Sequence, residues 1–207
     1  MIRKITAQEF WDWFITKSEF LMDLDNSKDK DQLIKEFEEV LASYSEGLSF
    51  EISELSQNGR SITFSAEGDE DYFEDVIELT NNVPILDFWD IVAFKQPQGE
   101  KVRIKFENYS INSKDLWFIP MENDEELSEK VGIMVGINDL NEEDEDQLIA
   151  VYTLIEAMIG EYDCTTLLGY FELCLLPENP EQEGFIPLTQ LPEFIAWHLN
   201  KIDNIKD

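Results

Sequence analysis

Apolar positions recur with helical spacing in five stretches of this 207-residue chain. In the first, Phe10, Trp13, Phe14, Lys17, Phe20 and Leu21 form one stripe, and Trp11, Ile15 and Met22 form a second beside it. Only Asp12, Thr16, Glu19 and Asp23 are left as a polar face, an arc too narrow for an ordinary surface helix. The second stretch places Leu33, Ile34, Phe37, Val40, Leu41 and Tyr44 on one side. A shorter one over 70–81 carries Tyr72, Phe73, Val76 and Ile77. The fourth, over 142–158, carries Leu148, Val151, Tyr152, Ile155 and Met158, with Gly160 as its stop. The last begins near Pro192 and aligns Leu191, Phe194, Ile195, His198, Leu199 and Ile202.

Strand patterns lie between the helices. Segments 48–53 and 61–66 alternate on either side of "QNGR", whose Asn58-Gly59 pair predicts a type I′ hairpin. Further strands are expected at 88–95, 115–121, 131–137 and 169–176, with 102–106 a weaker candidate. In order, strand, strand, helix and strand occur twice. The fold class is therefore α+β, a mixed sheet built from two ββαβ units with two helices before the first and one after the second. The first half covers 1–95 and the second 101–207, joined at "QPQGE" (96–100) into one compact unit.

Composition agrees with a folded chain. It is 43% hydrophobic and holds 14 Phe, 5 Trp and 6 Tyr, unlike a disordered acidic segment. Charge narrows the choice of partner. With 15 basic and 46 acidic residues, the net charge of −31 repels phosphate backbones and anionic membranes. Lys101, Arg103 and Lys105 are the one basic cluster, and three charges do not offset the rest. No apolar run is long enough for a membrane helix, and Gln8, Glu9 and Asp12 interrupt any leader-like core, which reads as cytoplasmic.

Candidate chemistry is sparse. Cys164 and Cys174 are too few for a disulfide framework and too isolated for zinc, so buried thiols are expected. The single histidine, His198, lies on an apolar stripe and reads as packed. No phosphate-binding loop occurs, and Gly132 and Gly136 belong to a strand. A calcium loop beginning at Asp25 fails because Lys30 stands where the turn needs glycine. A second window, at Asp139, fails because Ala150 stands where the bidentate glutamate belongs. No cofactor and no metal are expected.

The acids themselves fall into two sets. Asn141 is the expected cap of the fourth helix, and the run Glu142 to Asp146 fills its first turn, where the helix dipole favours negative charge. Glu161 and Asp163 follow that helix's end, where the dipole disfavours them, with no nearby base. They are the carboxylates least explained by local structure, and hence candidate binding residues. Trp11, Ile15 and Met22 join them, as an apolar docking patch if the second helix leaves their stripe uncovered.

Three segments, "EFWDWF", "WDIVAFKQP" and "IGEYDCTTLLGYFELCLLPE" leading to "IPLTQLPEF", together resemble an uncharacterised family of bacterial proteins of about this length. The resemblance spans most of the chain and implies a single full-length bacterial architecture. It carries no catalytic or binding residues to this sequence.

Function is thus expected to be non-enzymatic binding of a basic protein by a monomer or weak dimer, with no nucleic acid and no membrane. A narrower form is an immunity or inhibitor protein against a cationic toxin. A carboxylate-based, metal-dependent hydrolase is the enzymatic alternative, polyanion mimicry a third reading, and charge serving solubility alone a fourth.

Overall fold

A capping box opens the first helix, α1 (Ala7–Met22): the Thr6 hydroxyl accepts from the Glu9 amide at 3.2 Å, and the Glu9 carboxylate accepts from the Thr6 amide at 2.9 Å. This is read from a computed structural model, which describes residues 4–121, 130–141 and 144–206. The chain divides into two compact units, Met1–Lys95 and Gln96–Asp207.

In the first unit α1 is followed by α2 (Lys30–Tyr44), β1 (Ser49–Ile52), β2 (Arg60–Ser65), α3 (Phe73–Asn81) and β3 (Trp89–Ala93). The strands form a sheet ordered β1-β2-β3, with β1 antiparallel and β3 parallel to β2. Helix α3 lies in the crossover between the parallel pair, as parallel strands require a long connection. Rings fill the core. Phe10, Trp11, Phe14, Phe37 and Phe64 are fully buried, and Phe10 meets Trp11, Phe37 and Phe64 edge-on at centroid separations of 5.1, 5.7 and 5.8 Å. Both flanks of α1 are therefore covered, one by Phe37 of α2 and the other by Phe64 of β2.

The second unit begins with a hairpin of β4 (Arg103–Phe106) and β5 (Tyr109–Asn112). Then come β6 (Trp117–Met121), β7 (Val131–Ile137), α4 (Glu145–Ile159), α5 (Glu161–Leu167), β8 (Leu168–Leu175), β9 (Ile186–Pro187) and α6 (Leu191–Lys206). Its larger sheet is ordered β8-β7-β6-β9, with β7 antiparallel to β6 and parallel to β8. Here the core is aliphatic. Ile133 and Val135 of β7 pack with Val151, Leu154, Ile155 and Met158 of α4, and Phe118 is the only ring among the buried members of that cluster.

The α+β class holds, with six helices and three sheets among the described residues. Several finer expectations change. The single mixed sheet becomes three sheets. The second strand–strand–helix–strand stretch gains α5 between α4 and β8 and an added edge, β9, so it does not copy the first. The expected strand at 102–106 forms, but as half of a separate hairpin whose other half, β5, has too weak an alternation to read.

The β1–β2 turn is also not type I′, which needs positive φ at both central residues. Ser56 and Gly59 exchange backbone hydrogen bonds around Gln57-Asn58, neither of which has positive φ. Gly59 alone does, at 104°. Glycine is required there twice over, because a Cβ would also sit 1.9 Å from the Phe88 carbonyl oxygen.

Candidate functional site

The apolar patch expected on α1 does not form as drawn. Trp11 is fully buried, and its indole N–H donates to the Leu79 carbonyl at 2.9 Å, tying α1 to the end of α3. Met22 is half-buried, and only Ile15 is exposed, at 50%. The sequence pattern reads the two stripes as core and candidate surface. In the fold each contributes to the core, Phe10, Phe14 and Leu21 from the first and Trp11 from the second, while Phe20 and Ile15 stay exposed.

A groove that the sequence does not announce lies between α2 and β1. It encloses about 490 Å³ and is walled by Leu24, Ile34, Leu41, Leu48, Phe50 and Ile52, with Lys30 and Glu38 as charged members. Helical periodicity supplies the α2 wall: Ile34, Glu38, Leu41 and Ala42 fall on one side, at spacings of four, three and one. On β1, Ser49 and Phe50 point to opposite faces, so a groove touching both runs along the strand's edge.

That edge is open. Among the described residues, strand β1 pairs with β2 alone. Just beyond β1, Ser53 N donates to Ser61 O at 3.0 Å, which makes Ser53 and Ser61 a hydrogen-bonded pair. Antiparallel pairs alternate, so Glu51 and Thr63 bond while Ile52/Ile62 and Phe50/Phe64 do not. The N–H and C=O groups of Phe50 and Ile52 therefore point away from β2, and no backbone group among the described residues meets them.

Arg60 anchors one end of this region. Its residue is 3% exposed, and its guanidinium donates to Met22 O at 2.9 Å, to Ser53 O at 2.5 Å and to the Asp25 carboxylate at 2.5 Å. Asp25, the first position of the rejected calcium loop, is thus the counter-ion of a buried arginine. At the far end Glu67 accepts from Lys95 at 2.5 Å and from the Ser49 hydroxyl. Burial pushes the Glu67 carboxyl up, but the hydrogen bonds from Lys95 and Ser49 and the Lys95 charge together hold it below the ordinary carboxylate range.

In the second unit the acids resolve differently from expectation. Gly160, at φ 87°, ends α4 by donating its amide to Glu156 O at 2.7 Å, and the chain turns straight into α5. Glu161 and Asp163 therefore stand in the first turn of a new helix, where the dipole favours them. They do not converge: Glu161 is fully buried while Asp163 is exposed, as two positions apart on a helix dictates. Although the residue is exposed overall, partial desolvation of the Asp163 carboxyl pushes it up.

The cap of α4 is Asp144, which accepts from the Asp146 amide at 3.1 Å and the Tyr109 hydroxyl at 2.5 Å, not Asn141. The Asn141 amide instead donates to the buried Gln147 side chain at 2.8 Å, whose amide group donates to Asp139 O at 2.7 Å. Glu142 and Glu143 lie outside the described residues.

Of the remaining chemistry-bearing groups Cys164 is buried, while Cys174 and His198 are half-buried. Burial pushes the Cys164 thiol up to about 12, against the lowering effect of its hydrogen bond with Tyr152, so it is not a ready nucleophile. Cys174 is half-buried on β8, where a fully buried thiol was expected. His198 lies nearly parallel to the Phe194 ring at 6.4 Å. Among the described residues no group of three or more His, Cys, Asp or Glu side chains is placed to hold a metal ion, and no helix is long and apolar enough to cross a membrane. No protein-family model, curated protein or solved structure matches the chain.

Proposed function

We propose that the protein is a non-enzymatic binding module that engages a basic protein partner. The observation that carries this reading is the juxtaposition of a net charge of −31 with an apolar groove beside an unpaired strand edge. Charge draws a basic partner in and orients it, while apolar burial holds it once docked. An immunity or inhibitor protein acting on a cationic toxin is the narrower form, and it shares the same physics. No observation favours the carboxylate hydrolase.

The test is association at two salt concentrations. Immobilised protein incubated with lysate should retain a basic polypeptide at low salt and release it at high salt. The purified polypeptide should then associate more slowly as ionic strength rises. Recovery of nothing salt-dependent overturns the reading.

A further inference from the structure

Resting on that reading, we infer that the partner docks by β-strand addition: an extended, basic segment pairs antiparallel or parallel with the open edge of β1 and inserts alternate apolar side chains into the α2–β1 groove. The edge has the required groups in the required phase. Phe50 and Ile52 present outward N–H and C=O groups two residues apart, the repeat that an added strand reads. Their side chains, with that of Leu48, line the groove on the same face, so a strand hydrogen-bonded to them places every second side chain over the cavity.

The edge is short, four residues, but lacks three of the usual protections. Proteins blunt exposed edges with lysine, proline or a bulge, and "SFEI" has none of these. What it has is acid. Between Ser45 and Gly59 the chain carries Glu46, Glu51 and Glu54 and no Lys or Arg, and Glu38 lines the groove against the single cation Lys30. Like charges set opposite one another on paired strands are destabilising, whereas opposite charges stabilise the pair. A second copy of this chain would bring its own Glu51 and a net charge of −31 to the same edge and be repelled. A lysine-bearing strand would be attracted. Charge thereby selects the occupant, and the backbone edge with its groove sets the geometry.

The probe is an octapeptide of alternating Lys and Val, with alternating Glu and Val as its counterpart. Affinity is measured at low and high salt, and amide hydrogen exchange is followed residue by residue. The expected result is salt-dependent binding of the Lys peptide alone, with exchange slowed at Phe50 and Ile52 and unchanged in β7. Ile52→Pro removes one outward N–H and leaves the β1–β2 ladder bonds, so it should weaken binding about tenfold while exchange in β2 stays slow. Binding of the Lys peptide without slowed exchange at Phe50 and Ile52 overturns strand addition and leaves the basic-partner reading standing. Equal binding of the Glu peptide overturns the basic-partner reading instead, and no binding of either peptide overturns both. Protection of Phe50 and Ile52 that grows with protein concentration alone assigns the edge to a second copy and overturns the proposal.

Discussion

The two units are built around sheets in which the central strand has one antiparallel and one parallel neighbour, yet they fill their cores with different chemistry. Met1–Lys95 packs rings: Phe10, Trp11, Phe14, Phe37 and Phe64 meet largely edge to face around α1. Gln96–Asp207 packs branched aliphatics from β7 and α4, with Phe118 as its one deeply buried ring. Each ring buries a large surface at a single position, and one of them, Trp11, is tied to the backbone through its indole N–H. The aliphatic side chains of β7 and α4 are smaller one by one and carry no polar group. The first should therefore fail through single positions, and the second by accumulation.

The largest expected effect follows directly. Trp11→Ala should cost about 3–5 kcal/mol, leaving a cavity and a Leu79 carbonyl that keeps only its longer bond from the Asn82 amide, at 3.3 Å. Ile155→Val in α4 should cost about 0.5–1.5 kcal/mol. Chemical denaturation with residue-resolved hydrogen exchange distinguishes the two: amides of α1 and β2 should lose protection in the first variant and those of β7 should keep it. Equal costs would break the comparison.

Next in size is Arg60→Met. It removes the donor to Met22 O and Ser53 O and strips Asp25 of its counter-ion, and should destabilise the first unit by about 2–3 kcal/mol. Asp25→Asn should cost less, because Asp25 is about half exposed and the arginine keeps both carbonyl bonds. If the two variants cost the same, the ion pair and not the backbone bonding dominates.

Most of the elements are legible in the amino-acid pattern, and the exceptions have physical causes. The helices over α1, α2, α3, α4 and α6 and most strands follow from periodicity, since a buried face repeats with its element. The second stripe of α1 is not legible as core because periodicity reports how wide an apolar arc is and says nothing of how many neighbours cover it; Trp11 is met by Phe64 of β2 and by the Leu79 carbonyl of α3. Helix α5 does not show in the pattern because "EYDCTTL" is short and its acids follow Gly160, which reads as the stop of α4 but serves as the junction of two helices. The groove and the open edge could not be read at all. The alternation in "LSFEIS" specifies a strand, but whether that strand is central or at an edge depends on the order β1-β2-β3, which is a tertiary fact. Arg60 looked like one more hairpin residue, and its burial depends on Met22 and Asp25, more than thirty positions away.

Gly59→Ala probes the hinge between these features. Its positive φ and the 1.9 Å approach of the Phe88 oxygen should make the substitution cost about 1–3 kcal/mol, with exchange in the β1–β2 ladder raised most. Retained stability would show that the turn tolerates a shift of the loop preceding β3.

The smallest effect has opposite sign in the two units. Glu67 in the first is held below the ordinary carboxylate range, so its stabilisation is complete above the unfolded pKa of about 4.3 and is lost as pH falls through its lower folded pKa. With more than half of its side chain exposed, Glu67→Gln should cost no more than about 1 kcal/mol at neutral pH, a difference that vanishes in acid. Asp163 in the second unit is raised by burial, so its contribution is fullest below the unfolded pKa of about 3.9 and falls as pH rises through the folded value. Asp163→Asn should therefore match the parent in acid and exceed it in stability at neutral pH. Unfolding free energies of both variants across the acid range test the pair together. The same sign of change in both would mean that the acids of the two units share one environment. Opposite signs would mean that Glu67 is held by Lys95 and Ser49, while Asp163 carries a penalty that its place in the first turn of α5 does not fully offset.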